Sequence, residues 1–204
     1  MTHMRRKGLL IGGIGVAVAL LVGIFYAAGL PPFGKKGEID AEEVCPSLGN
    51  ASQSHSALKA VLPDKDSYSF DDDIHPLTEI SAADFSSTCF VDGGSGQLLV
   101  VKTEMLRGDS ETDWATWVKG TVKSSQDTTP FTSGASAFAS SRVAAIYVPC
   151  TVKPKTNISV AVDLKEPGDS DAAESRKGLI TLAENTAKFA HQKARCSLPS
   201  EIAN

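Results

Sequence analysis

Residues 8–30 (GLLIGGIGVAVALLVGIFYAAGL) run for 23 positions without a charge, and no comparable stretch recurs. At about 1.5 Å per residue a helix of this length reaches roughly 34 Å, against a hydrocarbon core of about 30 Å. The run therefore predicts a transmembrane anchor. Past residue 37 the apolar positions become short and periodic, as in a water-facing domain.

Those periods predict elements. Leu58 and Leu62, with Ala57 and Val61 beside them, mark a helix over 49–62 that Pro63 ends. Residues 64–76 read as turn-rich, with a short strand at 67–70. A strand opens at Cys89, turns through Asp92-Gly93-Gly94-Ser95-Gly96 and returns over 97–105. Gly108-Asp109-Ser110 then opens a helix carrying Trp114, Trp117, Val118 and Val122. Residues 134–139 and 142–148 predict a hairpin across Ser140-Ser141. A strand opens again at Cys150, turns at 153–157 and returns through Ile158, Val160, Val162 and Leu164, which alternate. Gly168-Asp169-Ser170 precedes a long helix at about 170–195. The order strand, turn, strand, Gly-Asp-Ser, helix thus occurs twice and suggests a duplicated ββα unit, with Asp or Ser capping each helix. The fold class expected is α+β: the transmembrane helix, then an antiparallel sheet with helices on one face.

Charge orients the anchor. Arg5, Arg6 and Lys7 precede the apolar run, whereas Lys35 and Lys36 are followed at once by Glu38, Asp40, Glu42 and Glu43. The positive-inside rule leaves the N-terminus in the cytoplasm and sends the bulk of the chain out. The organisation expected is a cytoplasmic stretch 1–7, anchor 8–30, linker 31–40, extracytoplasmic domain 41–200 and tail 201–204. The competing reading is a cleaved secretory signal using Ala27 and Gly29, but its apolar core should span only about 7–15 residues. All 24 acidic side chains lie beyond residue 37, with 15 of the 20 basic ones, a balance of −9. That surface argues against nucleic acid or anionic lipid as a partner.

Four cysteines, Cys45, Cys89, Cys150 and Cys196, stand far apart without the close pair of a metal site. In an oxidising compartment they predict two disulfides. Of three connectivities, Cys45–Cys89 with Cys150–Cys196 is preferred, because the separations of 44 and 46 match and each bridge staples one half.

Candidate chemistry is sparse. His75 follows Asp71-Asp72-Asp73, but the run lacks calcium-loop spacing. His55 and His191 lie on predicted helices with no HExxH pattern. Gly93-Gly94-Ser95-Gly96-Gln97 ends in Gln where a nucleophile elbow needs Gly. Asn50-Ala51-Ser52 and Asn157-Ile158-Ser159 fit the short glycosylation sequon. Trp114 and Trp117, three apart on one helix, are the ligand candidates, since indole offers a flat apolar floor with one donor. No catalytic, cofactor-binding or metal residue is assigned, and no cofactor is expected.

Val44-Cys45-Pro46, Ser86-Ser87-Thr88-Cys89-Phe90-Val91, Val148-Pro149-Cys150 and Cys196 carry a resemblance spanning roughly 40–200. The layout resembles membrane-anchored or secreted actinobacterial proteins of unknown function with a cysteine-stapled α+β domain. The resemblance implies an extracytoplasmic place and that fold, and no catalytic residue. Cys45 lies outside the apolar run, so lipid attachment is not carried over.

The function expected is a single-pass, non-enzymatic binding or assembly module of the cell envelope. Its partners would be the bilayer through 8–30 and another envelope protein, with no nucleic acid. The alternatives are a small-ligand domain with a groove near Trp114 and Trp117, or an envelope hydrolase assembled from Asp71–Asp73 with His75 or His191.

Overall fold

Seven strands form one antiparallel sheet in the computed structural model, which describes residues 37–76, 85–94, 96–122 and 127–203. They are β1 Tyr68–His75, β2 Ser86–Gly93, β3 Gly96–Arg107, β4 Thr129–Pro130, β5 Ser136–Ala139, β6 Val143–Thr151 and β7 Thr156–Leu164. Their order across the sheet is β1-β2-β3-β7-β6-β5-β4. The centre is the long pairing of β3 with β7, from Leu99 opposite Leu164 to Arg107 opposite Thr156. The expected hairpin closes at Ser140, whose amide donates to the Val143 carbonyl at 2.8 Å.

Three helices follow the expected positions: α1 Ala51–Val61, α2 Glu111–Thr121 and α3 Ala172–Lys193. A 3-10 turn, Pro46–Leu48, precedes α1. Asn50 caps α1 by accepting from the Gln53 amide, and the helix ends just before Pro63, which has no N–H to continue it. One side of the sheet packs against α1 and α3 through Leu48, Leu58, Val61, Leu99, Ile146, Ile158, Val160, Leu164, Leu179 and Leu182, all fully buried. Each such Leu or Ile is worth about 1.5–3 kcal/mol relative to exposure.

The helices do not share one face, as the sequence pattern had suggested. Along β6, Ala144, Ile146 and Val148 join the core under α3, while Val143, Ala145 and Tyr147 form a second cluster with Trp114, Val118 and Val122 of α2. Successive side chains of a strand point to opposite faces, so α2 lies on the other side. Because α2 and α3 sandwich it, β6 is apolar at nearly every position.

Strand, strand, helix does occur twice, but neither cysteine opens its strand as expected: Cys89 lies in the middle of β2 and Cys150 near the end of β6, which is the hairpin strand continued, and the two halves differ. At the first Gly-Asp-Ser, Gly108 turns with φ +77° and donates to the Lys155 carbonyl, and Ser110 caps α2. The Tyr147 hydroxyl donates to the Asp109 carbonyl at 2.6 Å and draws α2 to its own face of β6. At the second, the cap is Asp171, one residue later, which accepts from the Ala173 and Glu174 amides. There the Gly168 amide donates to the Val61 carbonyl and Ser170 Oγ donates to Ala60, which draws α3 against α1.

The segment 68–75 is a full edge strand rather than a short strand followed by turns. Tyr68, Phe70 and Ile74 pack on the core while Asp71, Asp73 and His75 face solvent. Asp72 sits on the inner side and accepts from the Ser47 amide at 2.8 Å and the Ser47 hydroxyl at 2.5 Å. A carboxylate on the inward side hides the period-two pattern. The outward carboxylates also discourage sheet edges from pairing with one another.

Both disulfides join the expected partners, Cys45–Cys89 and Cys150–Cys196. The first fastens the 3-10 turn to β2. The second fastens the end of β6 to the chain beyond α3. Ile39 and Ile202 are buried in the core, so segments expected as linker and tail contribute to the domain. The apolar run 8–30 lies outside the described residues. Among the described residues no helix is long and apolar enough to cross a membrane.

Candidate functional site

The two tryptophans do not share a surface. Trp114 is 1% exposed; its ring centre lies 5.3 Å from both Phe138 and Tyr147, and its indole N–H donates to Ser159 Oγ at 2.8 Å. Trp117 is 44% exposed. The two positions are only about 60° apart around the helix axis, so the separation comes from packing: Trp114 is enclosed against β6 while Trp117 lies at the margin of that buried face. The buried side of α2 also pushes the Tyr147 phenol up to about 12, through burial first and then the Glu111 and Asp109 charges.

Each described histidine has a local partner of its own. His55 Nε2 lies 2.9 Å from the Ile39 carbonyl and His191 Nε2 lies 2.8 Å from the Leu198 carbonyl. A carbonyl only accepts, so both Nε2 atoms carry the proton. His75 lies 3.4 Å from Asp73 on the exposed edge strand. The fold therefore does not bring Asp71–Asp73 together with His191. Gly93 ends β2 opposite Gly96, and Gly94 turns toward β3 with φ +60°. Of the sequon asparagines, Asn50 is used as a helix cap and Asn157 is 2% exposed within β7. Among the described residues no group of three or more His, Cys, Asp or Glu could hold a metal ion.

A concave feature among the described residues lies elsewhere, between α1 and α3. These helices run antiparallel and meet closely where Gly178 faces Val61; a Cβ on Gly178 would come within 2.6 Å of Val61 Cγ1. Toward the start of α1 an open groove of about 1020 Å³ appears, lined by Asn50, Ser52, Gln53, Asn185, Lys188 and Phe189 among others. A second depression of about 580 Å³ shares Ser52, Gln53, Asn185 and Lys188 with it and extends past Ala57, Thr181 and Glu184. Burial raises the Glu184 carboxyl above the ordinary carboxylate range, with a Ser133 hydrogen bond and Lys188 opposing the shift.

Gly49 positions the groove's end. It adopts φ +77°, and a Cβ there would come within 2.5 Å of the Asn185 carbonyl oxygen. Ser54 Oγ donates to the Leu48 carbonyl at 2.8 Å, leaving that oxygen free only to accept. Asn185 Nδ2 therefore donates to it, at 3.2 Å, and the direction of the Asn185 amide is determined. Asn185 is 5% exposed and lines both depressions. Sequence reasoning missed this site. Its signals were Gly49, Ala57 and Gly178, small residues whose meaning depends on which helix lies opposite. Compared with known proteins, the chain matches no family model, no curated protein and no solved structure.

Proposed function

We propose that this chain is a single-pass membrane protein, anchored through 8–30 with its N-terminus in the cytoplasm. Its domain works outside as a non-enzymatic binding or assembly module of the cell envelope. The observation that supports this reading most is the pair of disulfides, Cys45–Cys89 and Cys150–Cys196, in a domain that begins a few residues beyond a long uncharged apolar run. Disulfides persist in oxidising compartments and are rare in the cytosol. The acidic balance of −9 beyond residue 37 suits a soluble domain held near a membrane without adhering to anionic lipid.

Protease added to intact cells of the native host should digest residues 38–204 and spare the N-terminus. Thiol labelling under denaturation without reductant should find no free cysteine. A protected domain or four free thiols would reverse the assignment.

A second reading, a small-ligand module, is favoured by the α1–α3 groove rather than by the tryptophans. Asn185 and Lys188 offer polar contacts there, whereas Trp114 is enclosed.

A further inference from the structure

We propose that the open half of the sheet, on the α2 side of β1, β2 and β3, docks a cationic segment of a partner protein that carries apolar side chains between its basic ones. The inference rests on the domain being a binding module, and not on where the module is located.

Side chains opposite one another in register share a face of the sheet. Val100, Lys102 and Glu104 of β3 stand opposite Asp163, Ala161 and Ser159 of β7, on the side that carries α2. Across the next two strands the same side holds Phe90, Thr88 and Ser86, and then Asp71, Asp73 and His75. The cluster under α2 takes in residues of β5, β6 and β7 and reaches β3 only at Leu106. Among the described residues no helix covers the rest of that side.

An antiparallel sheet with one wet face alternates apolar inside and polar outside. The open half breaks that rule at one place. Phe90 and Val100 stand directly opposite each other there, and both are half-buried. Trp117 extends the strip. The Lys119 ammonium lies over the Phe138 ring of β5 at 4.9 Å, and Trp117 is about 200° around α2 from Lys119, on the flank toward β3.

Charge decides what covers this strip. Asp71, Asp73 and Glu104 border it and outnumber Lys102, which lies 2.6 Å from Glu104, while Asp163 is already paired with Lys165. A second copy laid face to face would set one acidic surface against another, and nucleic acid or anionic lipid would be repelled in the same way. A segment with Arg or Lys among aliphatic residues answers both features. Its apolar side chains cover Phe90 and Val100, and its cations meet Asp71, Asp73 and the exposed indole face of Trp117.

The test uses the full chain in nanodiscs of neutral phosphatidylcholine, against a phage-displayed library of random short peptides. Selection should enrich Arg and Lys interleaved with aliphatic residues. Amide NMR of the isotope-labelled chain with a selected peptide should shift Thr88, Phe90 and Val100 saturably. Asp71→Asn with Asp73→Asn should weaken that binding about tenfold, and Trp117→Ala by a similar factor, with both variants still folded by urea titration. Neutral or acidic winners, no winner at all, equal binding to the variants, or shifts confined to another surface would overturn the proposal. So would self-association of the chain that the same variants abolish. Shifts on another surface would leave the binding-module reading in place, and the protease experiment reads the location separately.

Discussion

The indole N–H of Trp114 donates to the hydroxyl of Ser159 across 2.8 Å, tying α2 to β7 on the side of the sheet away from α1 and α3. The bond satisfies the one polar atom of a large ring enclosed by Phe138 and Tyr147. Truncating the ring removes both the packing and the tie. Trp114→Ala should lower unfolding free energy by about 3–5 kcal/mol. Ser159→Ala should cost about 1–3 kcal/mol, because the indole N–H stays buried without a partner. Urea titration of each variant measures this, and equal losses from the two would contradict the packing account.

The two tryptophans should report separately. With Trp117 at 44% exposed and Trp114 at 1%, Trp117→Phe should leave emission that is blue-shifted and poorly quenched by iodide. Stability should change little, since phenylalanine retains much of the contact that half-covered Trp117 makes. Red-shifted, quenchable emission from that variant would mean that α2 does not sit on β6 as described.

Tyr147 holds its proton to about pH 12, above its ordinary value of 10.0. The unfolded chain releases that proton near 10, so the stabilisation is complete below pH 10 and lost as pH rises toward 12. Absorbance titration should show one phenol ionising late, and Tyr147→Phe should remove that step. Its hydroxyl's bond to the Asp109 carbonyl goes as well, at a cost of about 0.5–1.5 kcal/mol. Ionisation of every phenol near 10 would contradict this burial.

Each disulfide should carry a large share of stability. The bridges close loops with separations of 44 and 46 residues, worth about 4 kcal/mol apiece in the chain-entropy account. Cys150→Ser with Cys196→Ser should therefore lower the urea midpoint markedly without changing the other pairing. Non-reducing peptide mapping of the wild type should recover Cys45–Cys89 and Cys150–Cys196; a Cys89–Cys150 peptide would contradict the fold.

Gly178 governs how closely α1 and α3 approach. A side chain there meets Val61 Cγ1 at 2.6 Å, so Gly178→Leu should cost about 1–3 kcal/mol by overpacking. Gly49→Ala should cost about the same for another reason, since φ +77° and the Asn185 carbonyl at 2.5 Å both resist a Cβ. Thermal unfolding of the two variants checks both, and an unchanged Tm for either would remove the close contact it reports.

The elements with strong local signals were legible in the chain. Leu58 and Val61 with Pro63 marked α1, and the alternation of Ile158, Val160, Val162 and Leu164 marked β7. Matching separations pointed to the right cysteine pairs. The edge strand β1 was not legible beyond Phe70, because Asp72 occupies an inward position and its partner Ser47 is remote in sequence. The groove was illegible for the same reason: Asn185 and Ser54 are 131 residues apart, and neither is unusual until the other is beside it.

Local pattern and covalent arithmetic determined the α+β class, most helix positions and the sulfur pairing, since each depends on a nearby period or on a count. Tertiary structure alone decided that α2 crosses to the far face, that Trp114 and Trp117 part company, and that Gly49, Gly178 and Asn185 shape one groove. Those outcomes turn on which surfaces meet. A strand with apolar residues on both sides, such as β6, accepts a helix on either face. Remote contacts, among them Tyr147 to Asp109 and Trp114 to Ser159 for one helix and Ser170 to Ala60 for the other, go with that choice.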